Sequence, residues 1–301
     1  MMGRQLGRTR FLPRLAGITL VELIVVILTI GILLALVSVA VMRARHASNS
    51  IDCKNNMRQI GLATQTFVQA RSTFPYSRQN PGRRGLVLLL PYLEQQSLFA
   101  ELEKLDDGEV RLAAPTYLRC DADFFNHEVS SLNYIPCGGI GSESVKSDEV
   151  GFGSFETNSF AQIRDGLSNT VFYSERMSPD VPRFPSTFGE ASKRFHLWVG
   201  DYVENVEQFE TACWGEYNQR DINNMRPVSR TANILVQYNF GTRFEPNGPS
   251  CRFASTGQTP PVIDVSGWEA FTPSSNHDGY VNVTLGDASV QSVSNEIDAS
   301  V

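Results

Sequence analysis

The feature that most constrains this chain is the run from Gly17-Ile18-Thr19-Leu20-Val21-Glu22 through Leu23 to Val41. Behind Glu22 only Thr29, Gly31 and Ser38 interrupt Val, Ile, Leu and Ala. A helix from Ile18 to Met42 is about 37 Å long at ~1.5 Å per residue, enough to cross a hydrocarbon core of about 30 Å. A short leader with Arg4, Arg8, Arg10 and Arg14 and no acidic residue precedes it. The one charge near its start, Glu22, needs a partner, because a carboxylate deep in lipid costs about 2.5–3.5 kcal/mol. A cleavable secretory peptide fits poorly: the apolar run is long for one, and no small-x-small site follows.

The helical pattern continues past the apolar run. No proline occurs between Ile18 and Ala70, and Cys53, Met57, Ile60, Thr64 and Phe67 recur at spacings of four, three, four and three. That spacing is one face of an α-helix. Lys54, Asn55, Arg58, Gln59 and Gln65 fall between them as solvated positions. The reading is one helix from about Ile18 to Ala70, its first half in lipid and its second half laid on a sheet.

Charge separates the two parts. Residues 1–58 hold eight basic side chains against Glu22 and Asp52, a balance of +6, so a whole-chain charge of −6 leaves −12 on the rest. An acidic head argues against nucleic acid as a partner, which selects for basic surfaces. The basic leader followed by a long translocated domain places the amino terminus in the cytoplasm and the head in the periplasm or outside.

Beyond the helix, Thr73 to Tyr76 is a stop and Ser77 to Arg84 a loop. Leu86 to Leu90 is a short buried run, and Pro91 opens an amphipathic helix over Tyr92 to Leu105. Strand candidates are Tyr117–Cys120, Asn133–Ile135, Thr170–Tyr173, Leu197–Val199 and Ile234–Val236. The block from about Ser178 to Gly267 reads as long loops decorating a sheet, and its tryptophans, with Trp268, as core aromatics or the wall of a groove. Tyr280 to Leu285, a turn at Gly286–Ser289 and a return over Val290 to Val293 form a hairpin. The fold class is α+β: a long amino-terminal helix on an antiparallel sheet, with long loops. The divisions are a leader (1–17), a membrane-crossing segment (18–42) and a head (43–301) that includes the helix to about residue 70.

Cys53, Cys120, Cys137, Cys213 and Cys251 contain no CxxC pair, and His46, His127, His196 and His277 do not cluster with them. Zinc-ligand spacing is therefore absent. In an oxidising compartment one or two disulfides are expected, their pairing open, with at least one thiol left over.

The junction at Gly17 resembles the cleavage and methylation signal of type IV prepilins and type II secretion pseudopilins. The resemblance implies that prepilin peptidase cuts after Gly17 and methylates Ile18, and that Glu22, fifth after the cut, neutralises the amino terminus of a neighbouring subunit. Ile18 stands where phenylalanine is commonest and Ala16 where a basic residue is frequent. Further motifs follow in order: Cys53–Leu62, Leu89–Gln96, Tyr117–Cys120, Ile163–Thr170 and His277–Val283. Together they resemble a bacterial prepilin-like family that has a domain of unknown function and a carboxy-terminal His-x9-Asp-Gly signature. Here His277 and Asp287 keep the spacing, but Ala288 replaces the glycine. If that position takes a positive φ, alanine costs about 1 kcal/mol.

Chemistry beyond assembly is thinly signalled. His277 and Asp287 flank a strand, so an imidazole and a carboxylate have a chance to meet, but no Gly-x-Ser-x-Gly elbow or other nucleophile signature accompanies them. Pseudopilins can carry calcium in a carboxy-terminal loop, and Asp278 and Asp287 offer hard oxygens, without EF-hand spacing. The preferred reading of His277, Asp278 and Asp287 is structural, with Asp287 closing a turn. No cofactor fingerprint is present and no enzyme is expected. The expected function is a pilin-like structural subunit, partnered by prepilin peptidase, the inner membrane and other pilin-like subunits. The competing reading is a membrane-tethered protein whose region 178–267 binds a solute, glycan or cargo.

Overall fold

The computed structural model describes residues 19–75, 85–102, 104, 115–123, 132–139, 160–177, 195–199, 206–220, 225–227, 240–241, 244–253 and 269–297. Two compact units divide between Ala47 and Ser48. Helix α1 runs from Leu20 to Arg71. It stops where Ser72 turns left-handed (φ 59°) and returns its amide to the Val68 carbonyl at 2.7 Å.

In the larger unit the spaced stripe on α1 is buried as its period requires. Cys53, Met57, Ile60 and Thr64 are fully enclosed and Phe67 nearly so. They face a five-stranded sheet in the order β5-β1-β2-β8-β9. Its antiparallel body is β1 (Tyr134–Gly139), β2 (Val171–Glu175), β8 (Tyr280–Leu285) and β9 (Val290–Ser294). The short β5 (Phe240–Gly241) adds to β1 in parallel. Thus the α+β architecture, a long apolar amino-terminal helix plus an antiparallel sheet, is the one expected.

Helix and sheet meet through small and hydroxylated side chains. Thr64 Oγ1 lies 3.0 Å from the Tyr173 hydroxyl, and Thr284 Oγ1 donates to the Met57 carbonyl at 3.3 Å. Burial pushes the Tyr173 and Tyr134 phenols well above the ordinary tyrosine range. Strand β8 is covered on both faces. Asn282 and Thr284 are fully enclosed on one, while Val281, Val283 and Leu285 cluster with Val171 and Val293 on the other. The separate core built on the α1 stripe takes in Leu86, Leu89, Leu90, Leu118 and Phe172, and Phe74 meets the Phe172 ring edge-on at 5.5 Å.

Three local expectations are corrected. The helix expected to open at Pro91 and run over Tyr92 to Leu105 is broken: α2 (Leu86–Leu89) tightens into a 3-10 turn (Leu90–Leu93), Glu94 goes left-handed (φ 61°), and α3 (Gln96–Leu102) starts afresh. Pro91 has no amide to give to a regular helix, and the Gln95 amide closes the turn on the Leu90 carbonyl instead. Tyr117–Cys120 is not a strand; Thr116–Leu118 is a 3-10 turn. Asn133 holds it there, accepting the Cys120 amide at 3.1 Å and donating to Asp123 at 2.8 Å.

The third correction concerns the block read as loops. It contains a helix, α4 (Val206–Gln219), and part of a second sheet in the order β4-β3-β6-β7. Its strands are β3 (Phe195–Val199), β4 (Met225–Pro227), β6 (Cys251–Phe253) and β7 (Glu269–Ala270). Phe209, Cys213 and Tyr217 on α4 repeat every four residues, a helical signal among many polar neighbours. Ile234–Val236 and Trp268 lie outside the described residues. Disulfides join Cys53 to Cys120 and Cys213 to Cys251, leaving Cys137 buried outside both.

Candidate functional site

Two places bear on function. The first is the start of α1. Gly17 and Ile18, where processing is expected, lie outside the described residues. Thr19 and Glu22 form a capping box: Glu22 Oε2 accepts the Thr19 amide at 2.8 Å and its hydroxyl at 2.9 Å, while the Glu22 amide reaches Thr19 Oγ1 at 3.3 Å. The Glu22 carboxylate is thereby fixed at the head of the helix, and it is exposed. From Leu20 to Met42 every side chain is exposed, and this is a helix long and apolar enough to cross a membrane.

The second place is buried in the larger unit. The imidazole of His277 does meet a carboxylate, but it is Glu175 and not Asp287. His277 Nε2 lies 3.2 Å from Glu175 Oε1, and both side chains are enclosed. Asn282 orients that carboxylate: its amide donates to Glu175 Oε2 at 2.8 Å and its Nδ2 to Oε1 at 3.0 Å. Ser292 Oγ in turn donates to Asn282 Oδ1 at 2.8 Å. The imidazole stacks on the Tyr280 ring, 2° from parallel at 5.2 Å, and the Tyr280 hydroxyl reaches Ser50 Oγ at 2.8 Å. The Cys53–Cys120 disulfide forms the remaining wall, with Cys120 Sγ 3.6 Å from His277 Nε2 and 3.8 Å from Glu175 Oε1.

Asp287 sits at the far end of β8. The imidazole lies beside Tyr280 and Glu175, whereas the Asp287 carboxylate is taken up by Ser289 in the turn beyond Leu285, so the two do not meet. Asp287 Oδ1 accepts the Ser289 amide at 2.9 Å and hydroxyl at 2.5 Å. The Ser289 hydroxyl first, and its amide second, hold the Asp287 carboxyl below the usual range. Ala288 is left-handed (φ 66°), the conformation in which alanine costs more than glycine. The turn docks on its neighbours: the Gly286 amide donates to the Thr170 carbonyl, the Asp287 amide to that of Leu167, and Gln65 Nε2 to the Gly286 carbonyl. The Asp165–Thr170 stretch is a hydrogen-bonded turn feeding β2, with Asn169 Nδ2 donating to the Asp165 carbonyl at 2.9 Å. Asp278 is exposed beside the site, on the bend that precedes β8. Trp214 packs edge-on to Tyr217 and Phe244, as an aromatic contact within α4 and its surroundings.

Several of the sequence motifs therefore converge in space. Cys53 and Gly61 come from α1, Cys120 from just after the 3-10 turn, Leu167 to Thr170 from the turn before β2, and His277 to Ala288 from the bend and hairpin. A family model covers residues 42–111 and 119–300, well over half of the chain, and is described as a protein of unknown function (DUF1559). The chain belongs to the DUF1559 family. The match begins at Met42, so within this DUF1559 protein it takes in the whole buried cluster but not Glu22. No curated protein and no solved structure matches the chain. Glu175 is the site residue that the sequence did not single out: it closes a buried β-run, and only its position opposite His277, 102 residues away, gives it a role.

Proposed function

We propose that this DUF1559 protein is a pilin-like structural subunit rather than an enzyme. Prepilin peptidase cuts after Gly17 and methylates Ile18. The α1 segment to Met42 anchors the chain in the inner membrane, amino terminus in the cytoplasm and head in the periplasm or outside. In assembly, with other pilin-like subunits of an envelope filament or a type II secretion-like apparatus, Glu22 pairs with the Ile18 ammonium of a neighbour. Buried among apolar helices, that ammonium requires a counter-charge.

One observation carries the reading. Leu20 to Met42 exposes an all-round apolar helical surface, with a single carboxylate pinned at its first turn by Thr19. Lipid alone accounts for the apolar surface, but not for a fixed acid at its head.

Intact mass and amino-terminal sequencing of the protein from its native membrane test this. The expected species begins at methylated Ile18. A start at Met1 or Met2, or a cut beyond Val41, overturns it and leaves a tethered or secreted binding protein. Given the expected start, Glu22→Gln should leave processing intact and abolish cross-links between amino-terminal segments of neighbouring copies.

A further inference from the structure

The geometry points to a metal centre latent in the buried cluster: in the reduced protein, Cys53, Cys120, Glu175 and His277 together ligate one zinc-type divalent cation. All four offer a ligand atom, all are buried, and these atoms lie within 4.8 Å of one another. This inference does not depend on filament assembly.

The distances have the dimensions of a tetrahedral site. Zinc binds sulfur at about 2.3 Å and imidazole or carboxylate at about 2.0–2.2 Å, which sets ligand-to-ligand edges of roughly 3.3–3.8 Å. Three edges already exist: 3.2 Å from His277 Nε2 to Glu175 Oε1, 3.6 Å from His277 Nε2 to Cys120 Sγ, and 3.8 Å from Cys120 Sγ to Glu175 Oε1. Only Cys53 Sγ must separate from its bonded partner, by less than 2 Å on the same arithmetic. One imidazole nitrogen thus faces both a carboxylate and a sulfur, as a shared metal would require.

The supports of such a centre are also in place. Metal-ligating side chains depend on outer hydrogen bonds that fix their orientation. Glu175 has the amide and Nδ2 of Asn282, and His277 has the parallel Tyr280 ring. Lys54 Nζ lies 5.9 Å from the centre of that ring, a cation beside a site whose two thiolates and one carboxylate outweigh a divalent ion by one charge.

Opening the site requires two electrons. A dithiol reductant supplies them, forming its own disulfide as the Cys53–Cys120 bond breaks and each sulfur takes up a proton. Cation binding then releases both thiol protons to solvent. The oxidised protein, with its sulfurs bonded to each other, does not bind the ion in this way. The cluster is therefore a disulfide in one redox state and a metal centre in the other.

The test uses the full chain in detergent micelles, reduced with dithiothreitol, desalted without oxygen and titrated with Co2+. One equivalent should produce the ligand-field bands of tetrahedral cobalt and thiolate-to-cobalt charge transfer, both erased by Zn2+ and both absent from the oxidised protein. His277→Gln should weaken binding by at least the roughly 10–100-fold that loss of an outer-shell partner brings, and Asn282→Ala by about that amount. An octahedral spectrum, no binding after reduction, or unchanged affinity in folded His277→Gln overturns the proposal. Should the variants not fold, zinc-edge X-ray absorption of the reduced wild-type chain decides. Two sulfur and two nitrogen or oxygen neighbours support the site; any other first shell overturns it.

Discussion

Two stretches of one helix obey opposite rules. From Leu20 to Met42 every residue is exposed, almost all are apolar, and spacing carries no information. From Cys53 to Val68 the buried positions recur with the helical period, while Asn55, Arg58, Gln59 and Thr66 remain exposed. The first stretch is defined by its summed hydropathy, which suits a solvent that is the same on every side. The second is defined by which face each residue occupies, because one particular sheet lies against it.

The largest test of that contrast removes the covalent tie of the second stretch. The Cys53–Cys120 disulfide closes a separation of 67 residues, for which chain entropy gives about 4 kcal/mol. Cys53→Ala with Cys120→Ala should lower the head's urea midpoint accordingly and leave retention in the membrane fraction unchanged. Ile27→Arg should do the reverse. A cation at mid-span costs about 2.5–3.5 kcal/mol of insertion, read as release into the soluble fraction on alkaline extraction, with the head's midpoint unmoved.

Two glycines of α1 sharpen the comparison. A Cβ on Gly31 meets nothing within 4 Å, whereas one on Gly61 comes within 2.8 Å of Thr284 Cγ2 and 2.9 Å of Ala288 Cβ. Gly61→Ala should destabilise the head by about 1–3 kcal/mol, and Gly31→Ala should leave its denaturation curve unchanged. Ala288→Gly should stabilise by about 0.5–1 kcal/mol, since glycine takes the left-handed conformation without a steric cost.

The smallest effect is electrostatic. The Asp287 carboxyl is held below its ordinary value by Ser289, so its contribution is present above the unfolded-state range of about pH 4 and is lost as pH falls through the lower folded value. The stability difference between wild type and Asp287→Asn should be small at neutral pH and vanish in acid. A difference that persists in acid would show that the turn depends on the side chain's shape and not on its charge.

The elements around the candidate site were legible in the sequence, while the pairing at its centre was not. The stripe from Cys53 to Phe67, the hairpin around Asp287 and a structural role for Asp287 all follow from local periodicity and turn chemistry. The positive φ at Ala288 stood in the sequence reading only as a condition attached to the resemblance, and the structure meets that condition. What local signals could not supply was Glu175 as the partner of His277. A glutamate between Ser174 and Arg176 at the end of a β-run carries no mark of what will stand opposite it. The 3-10 turn at Thr116–Leu118 was misread for a related reason: its short apolar run fits a strand, and the hydrogen bonds that overrule it come from Asn133, more than a dozen positions away.

The sequence by itself determined the elements whose instructions are periodic: a helix from Leu20 to Arg71, apolar all round and then on one face, and a carboxy-terminal hairpin closed by Asp287. Tertiary structure alone decided which cysteines pair, that Glu175 and His277 share one buried pocket with a disulfide, and that Gly61 receives the hairpin turn. Periodicity is a property of neighbours along the chain and can be read there. Contacts between residues 38 to 102 and more positions apart depend on how the elements pack, and no spacing in the sequence encodes them.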